Sequence, residues 1–433
     1  MRDFGRSDDP RVQAQLDRLG MLSVPQGRLG LETVTALLDR LGNPHLQLPP
    51  VFHVAGTNGK GSTCAFVRAV LEAQGYTVHA TISPHLVRYN ERIRIAGELI
   101  SDEALAAVLK EVLDAGEDLG PSFFEVTIAA AFLCFSRTPA DACVVEVGMG
   151  GRFDATNVIP RPLVCGIAAL GLDHERFLLA PEQGVPTEPM ARIAFEKAGI
   201  AKPGVPLVTL EYPEPETAAI AEVAARVGAP VLPFGLYGAW GAKPVGEDRL
   251  TYADSKGHFF THSPLPLPGR HQVLNAGLAI AMLRHQNVLP VTEDAIRAGL
   301  ANARWPARLQ RLSHGPLVGT RQVWLDGGHN PNAAEAIARQ FDGQKLHLVV
   351  GMIAGKDPGG FMAPLANLAQ SIAVVPVPAH EFFGPEAFGP AARGFPDVAS
   401  ALAALPGDGL PVLIAGSLYL AGDVLRLNGE LPD

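Results

Sequence analysis

The sequence predicts an α/β fold in two parts, a larger N-terminal domain over residues 1–302 and a smaller one over residues 303–433. Three observations predict it. Short apolar runs alternate with helix-forming segments and end in glycine turns, the texture of an open sheet flanked by helices. One such run, 51–55, leads through a glycine-rich turn into a helix-forming stretch, the context a phosphate-binding loop needs. The pattern then breaks near Trp305-Pro306-Ala307-Arg308 and starts again, in a chain of 433 residues, too long for one ordinary core.

The first unit is the β-prone run 51–55, then Gly56-Thr57-Asn58-Gly59-Lys60-Gly61-Ser62, then a helix reaching Glu72. Residues 76–81 read as the next strand. Ser101 is a helix cap with Glu103 in the first turn, so 99–119 reads as helical, and the apolar stretch 123–135 as another helix. Residues 142–147 form a buried-strand run into Gly148-Met149-Gly150-Gly151, and 163–170 a third run ending at Gly171. Between 212 and 268, Pro213, Pro215, Pro230, Pro233 and Pro244 punctuate a peripheral stretch with small strands at 250–252 and 259–261. Residues 271–285 read as a helix of the first domain. In the second, 323–326 is a strand ending in Gly327-Gly328-His329-Asn330-Pro331-Asn332. A helix over 333–340 and strands at 346–350, 372–375 and 412–415 complete it.

Composition narrows the function. The balance of 35 basic against 44 acidic residues gives a formal charge of −9, which offers no broad basic field for nucleic acid or anionic lipid. The charged N-terminus has no apolar run behind it, and no stretch reaches the length of a membrane span, so a cytoplasmic protein without membrane partner is expected. Cys64, Cys134, Cys143 and Cys165 form no CxxC pair and read as buried free thiols.

The glycine loop carries the strongest chemistry. Gly56 and Gly59 permit turns that aim backbone N–H groups at phosphate oxygens, and the helix behind them adds a favourable dipole. Lys60 can reach β- and γ-phosphates and Ser62 can ligate magnesium. The loop departs from the ordinary Walker pattern: the first glycine is absent at the usual spacing, and Gly61 follows the lysine. A solvated surface turn is the plainer explanation, but the strand before and the helix after argue against it.

Other clusters follow strands in the same way, where open sheets collect ligands. Ser83 in Ser83-Pro84-His85 can offer an oxygen, or merely start a turn. Glu146 interrupts an apolar strand, where a buried carboxylate needs a partner; the alternative is an edge-strand residue facing water. Asp173-His174 stays unassigned on spacing alone, since magnesium does not favour imidazole. Lys197 sits at a helix end, favourable against the dipole without any further duty. Asp326, His329 and Asn330 occupy a strand-to-helix turn and can contact ribose or phosphate, or simply shape the turn. Arg308, at the expected domain seam, is a candidate phosphate clamp.

Together these motifs resemble the folylpolyglutamate synthase/dihydrofolate synthase family of the Mur ligase superfamily. The resemblance is carried by the loop 56–62, Ser83-Pro84-His85-Leu86, Glu146 with Gly148 to Asn157, and Glu196-Lys197-Ala198-Gly199. Gly269-Arg270-His271-Gln272, Asp326 to Pro331 and Gly416-Ser417-Leu418-Tyr419 continue it, in family order from about Leu16 to Gly422. It implies a larger P-loop ATPase domain of Mur-ligase type and a smaller Rossmann-like domain, with ATP and folate meeting in a cleft. It places magnesium ligands at Ser62, Ser83, Glu146 and His174, and a carbamylated lysine at Lys197. Nucleotide contacts fall on Gly56, Thr57, Asn58, Gly59, Lys60, Gly61, Ser62, Arg308, Asp326 and His329. Lys60, His174, Lys197 and Arg308 are the expected catalytic groups, and Gln26, Ser83, Phe124 and Arg152 the expected substrate contacts. The chain departs from the family in Ala307 before the seam arginine, in Gly328 of Asp-Gly-Gly-His, and in a longer stretch from His174 to Glu196.

The implied enzyme is a monomer that uses ATP and Mg2+ to join L-glutamate to dihydropteroate and to tetrahydrofolate through an acyl-phosphate. A folylpolyglutamate synthase alone is the runner-up. A Mur-type ligase on a peptidoglycan precursor and a nucleotide-binding switch fit fewer of the motifs.

Overall fold

The computed structural model describes residues 5–22, 30–235, 238–245, 249–262, 265–341 and 343–432. The chain divides into two compact units, one of residues 1–84, 88–266 and 272–304, the other of 85–87, 267–271 and 305–433.

The first unit is built on a sheet of strands β1 (Val51–Ala55), β2 (Val78–Thr81), β3 (Ile93–Ile95), β4 (Glu98–Leu99), β5 (Ala142–Glu146), β6 (Val164–Ile167), β7 (Leu207–Thr209) and β8 (Val231–Pro233). Their order is β4-β3-β2-β5-β1-β6-β7-β8. Pairing is parallel except at β2–β3 and β3–β4. Strand β1 is buried at all five positions between β5 and β6, which explains its apolar run. Helix Phe123–Arg137 starts with a reciprocal cap, Ser122 to the Glu125 backbone and Glu125 back to Ser122. It packs with helix Asp102–Gly116 and the N-terminal helices Pro10–Met21 and Glu32–Arg40 into one apolar cluster. A second cluster surrounds helices Pro189–Ala198 and Glu214–Val227. The proline-punctuated stretch yields that second helix and an antiparallel sheet of β9 (Trp240–Val245), β10 (Arg249–Asp254) and β11 (Phe259–His262).

Run 163–170 is strand only to Ile167. The residues beyond it turn their backbone toward the glycine loop, where Ala169 O accepts the N–H groups of Thr57 at 2.8 Å and Asn58 at 3.1 Å.

The second unit carries β12 (Gln310–Arg311), β13 (Val323–Leu325), β14 (Leu346–Val350), β15 (Ala369–Val374), β16 (Ala392–Gly394) and β17 (Val412–Ala415). The order is β12-β13-β17-β14-β15-β16, parallel but for β12. Helix Pro331–Gln340 follows β13 and helix Leu418–Asn428 follows β17. Among the described residues, no helix is long and apolar enough to cross a membrane.

Candidate functional site

Strands β2, β5, β1 and β6 are neighbours, so the residues leaving their carboxyl ends are neighbours too. The loop after β1 is held in a shape only glycine tolerates. Gly59 has φ +84, and a β-carbon there would lie 2.3 Å from Asn275 Oδ1. A β-carbon on Gly56, at φ +148, would meet Ala168 at 2.9 Å. Helix Lys60–Ala73 begins directly behind, so the N–H groups of its first turn have no helical partner. Lys60 Nζ donates to Thr57 O at 3.3 Å. Ser62 is 1 % exposed, and its hydroxyl has no hydrogen-bond partner. An orphaned buried hydroxyl is costly, and a hard oxygen beside a row of N–H donors suits a magnesium-bound phosphate.

Glu146 ends β5 and is buried, with Oε2 accepting from Ser83 N at 3.2 Å, which joins the ends of β5 and β2. The peptide Ser83–Pro84 is cis. Past Glu146, Asp154 shapes the glycine loop: Oδ2 accepts from Met149 N at 2.8 Å and Oδ1 from Thr156 N at 3.0 Å and Thr156 Oγ1 at 2.6 Å. Burial pushes the Asp154 carboxyl up, against the pull of those bonds. The Phe124 ring covers Gly148, where a β-carbon would come within 2.4 Å of it.

This loop is stitched to the end of helix Pro189–Ala198. Arg152 N donates to Glu196 O at 2.8 Å, and Asn157 Nδ2 donates to Gly199 O at 3.0 Å. The stitching delivers Lys197, buried, to the first loop, where Nζ donates to Gly56 O at 2.9 Å. Burial, with the nearby Lys60 charge, lowers the Lys197 ammonium to about 7. His174 begins the turn after β6 in the left-handed region at φ 54, with its N–H donating to Asp173 Oδ1 at 2.8 Å.

In the second unit, Asp326 leaves β13. Its Oδ1 accepts from Gly328 N at 2.6 Å and its Oδ2 from Leu309 N at 2.8 Å. Burial raises its carboxyl while Arg308 lowers it. Arg308 Nη1 donates to Ala307 O at 3.1 Å, and the His329 ring meets Gly327 O through Nδ1 at 3.0 Å.

No protein-family model matches the sequence. The chain is 35 % identical over 362 residues to the dihydrofolate synthase/folylpolyglutamate synthase of Bacillus subtilis, covering 79 % of this chain and 80 % of that one. The chain belongs to the folylpolyglutamate synthase/dihydrofolate synthase family. Its fold is similar to E. coli FolC in complex with DHPP and ADP, at a TM-score of 0.84 and 33 % identity over 96 % of this chain and 97 % of that one. A bifunctional family structure with Mn, AMPPNP and L-glutamate bound matches at a TM-score of 0.82 and 31 % identity, over 98 % of this chain and 99 % of that one. The expected α/β class, with a large N-terminal and a smaller C-terminal part, agrees with these structures.

The structure gathers the residues expected from the first unit unevenly. Gly56, Thr57, Asn58, Gly59, Lys60, Gly61 and Ser62 form one loop and helix start that Lys197 touches, and Ser83 meets Glu146. Among the described residues, no three His, Cys, Asp or Glu side chains form a metal cluster. The expected ligand set holds two of these types, with hydroxyl oxygens from Ser62 and Ser83 supplying the rest. Arg152 does not present a free guanidinium. It is held by Glu182 and Glu196, so the expected substrate contact would come from an anchored side chain. Gln26 lies outside the described residues.

Sequence reasoning missed three supports. Asn275, buried and pressed on Gly59, sits three residues past the Gly-Arg-His-Gln motif that resembles the family. Tyr212 donates to Ile167 O at 2.7 Å and Ala168 O at 2.9 Å, bracing the platform under Gly56. Glu182 accepts from both Arg152 and Arg192 and is the third.

Proposed function

We propose that this chain is an ATP- and magnesium-dependent ligase that joins L-glutamate to dihydropteroate and to the glutamate tail of reduced folates. The observation that carries it is the partnerless Ser62 hydroxyl buried behind Lys60, in a chain similar to this family along nearly its whole length. Lys60, the N–H groups at the start of helix Lys60–Ala73 and the glycines 56 and 59 hold the triphosphate. Arg308, Asp326 and His329 are the proposed nucleotide contacts of the second unit.

The magnesium site draws on Ser62, Ser83, Glu146 and His174. A bound cation there neutralises phosphate charge. Lys197 carries the carbamate that the resemblance implies. Its location supports this: a buried amine held near 7 has a neutral fraction at physiological pH, as reaction with carbon dioxide requires.

The substrate carboxylate oxygen attacks the γ-phosphorus, ADP leaves, and an acyl-phosphate forms. The amine of glutamate attacks the acyl carbon, and phosphate departs with the former carboxylate oxygen. Lys60 is proposed to spread the charge that develops on the transferred group, so positioning and charge supply most of the acceleration. Phe124, over the loop after Glu146, is the proposed wall for the pterin-bearing substrate, and Gln26 a proposed partner. A monomeric cytoplasmic enzyme accompanies this reading, supported by four free cysteines that suit a reducing compartment.

The test is ADP release by purified protein with ATP, magnesium and glutamate, comparing dihydropteroate with tetrahydrofolate. Release with both, alongside both ligated products, is expected. Release with tetrahydrofolate alone reduces the activity to polyglutamylation, and release with neither refutes the proposal.

A further inference from the structure

The chain between His174 and helix Pro189–Ala198 is pinned to the glycine loop that follows Glu146 at two places. His174 opens this strap at φ 54, a left-handed conformation unfavourable for a residue with a β-carbon, which persists where its surroundings enforce it. Its carbonyl accepts from Phe177 N at 2.9 Å and Leu178 N at 3.1 Å. Leu178, buried, forms the first pin: a β-carbon on Gly150 would lie 2.9 Å from its Cδ2.

Four residues on, Glu182 forms the second. Arg152 grips its carboxylate as a fork, Nη1 to Oε1 at 3.1 Å and Nη2 to Oε2 at 2.5 Å. Arg192 Nη2 donates to the same Oε2 at 3.1 Å. Both arginines also pair with Glu196, although Arg192 Nε, at 2.9 Å, is not aligned for a hydrogen bond there. Two cations and two anions thus close one cluster, with Arg152 and Glu182 about one-fifth exposed and Arg192 and Glu196 nearly sealed. The cluster joins three segments: the loop after Glu146, the strap after His174, and the helix that carries Lys197.

Without Glu182, two of those segments stay joined. Arg152 N still donates to Glu196 O, Asn157 still bonds Gly199 O, and Arg152 keeps Glu196. Only the strap loses its polar pin. We propose that Glu182 is a positioning residue that fixes His174 relative to Glu146 and so sets the affinity for the divalent cation. This rests on the reading of His174 and Glu146 as cation ligands. Arg152 is then the shared anchor of both ligand-bearing segments.

The test is Mn2+ binding to the full chain with AMPPNP present, followed by electron paramagnetic resonance of free Mn2+. Metal-free AMPPNP affinity and the thermal midpoint are measured alongside. Glu182→Gln keeps the shape and removes the charge. It is expected to weaken Mn2+ about tenfold, as loss of an orienting partner does at metal sites, while metal-free nucleotide affinity is unchanged. Glu182→Asp, which keeps the charge on a shorter arm, should recover part of the loss. His174→Ala separates the two claims. If His174→Ala weakens Mn2+ but Glu182→Gln does not, the positioning role is wrong and the ligand reading stands. If His174→Ala leaves Mn2+ binding unchanged, both fall. A Glu182→Gln variant with a lowered midpoint and unaltered Mn2+ affinity reduces Glu182 to a structural ion pair and overturns the proposal.

Discussion

Replacing Ser62 by alanine tests the phosphate and cation site through two effects of opposite sign. In the ligand-free protein the Ser62 hydroxyl is buried and has no hydrogen-bond partner. A buried polar group left unsatisfied costs about 1–3 kcal/mol, so Ser62→Ala should stabilise the free protein by up to that amount. For a protein of this size, each 1 kcal/mol raises the thermal midpoint by roughly 1 °C. The ligand increment should move the other way. Magnesium-AMPPNP at about 100 times its dissociation constant stabilises the wild type by about 2.7 kcal/mol. A tenfold loss of affinity cuts that increment to about 1.4 kcal/mol at the same concentration. Thermal unfolding of both proteins, with and without magnesium-AMPPNP, reads both effects in one experiment. A destabilised free variant would show that the hydroxyl has a structural partner. An unchanged ligand increment would show that it takes no part in binding.

Gly59→Ala places a β-carbon at φ +84 and 2.3 Å from Asn275 Oδ1. A cost on the order of 2 kcal/mol from the left-handed backbone and the displaced Asn275 is expected, with loss of nucleotide binding; denaturant unfolding and a nucleotide titration check both. In protein depleted of carbon dioxide, where the Lys197 amine is not carbamylated, Lys197 predicts a pH dependence. Its folded value of about 7 lies below the ordinary 10.5, so the unfolded chain binds the extra proton between those limits and stability rises with pH across that window. Below 7 the full penalty, on the order of 5 kcal/mol, remains. Lys197→Met should therefore remove the rise in urea midpoint between pH 7 and 9, and equal slopes in both proteins would refute the burial argument.

Much of this architecture is legible in the sequence because fully buried parallel strands leave continuous apolar runs. Val51–Ala55, interrupted by His53, and Ala142–Glu146, apolar as far as Val145, come close to this, each ending near a glycine turn. Helices Pro10–Met21 and Glu32–Arg40 escaped because they bury a narrow stripe, Val12, Leu16 and Leu19 in the first, among many charged neighbours. Their apolar face has meaning only against the helices it meets, Asp102–Gly116 and Phe123–Arg137. The glycine loop could be read because its chemistry is local. Glu146 could be singled out as a carboxylate in an apolar strand, but its partner Ser83 lies 63 residues away and follows from sheet order alone. Lys197 stayed ambiguous for the same reason: its place at a helix end is local, while its bond to Gly56 spans 141 residues. The ion pairs of Arg152 stayed hidden because nothing in its own loop shows the two carboxylates that hold it.

In the proposed reaction a carboxylate is activated by phosphoryl transfer before glutamate attacks it. Its most direct test is turnover of dihydropteroate carrying 18O in the carboxylate, with mass analysis of the phosphate released. One 18O in each phosphate formed is expected, with ADP in equal amount. Phosphate free of label, or AMP with pyrophosphate in place of ADP, would contradict it.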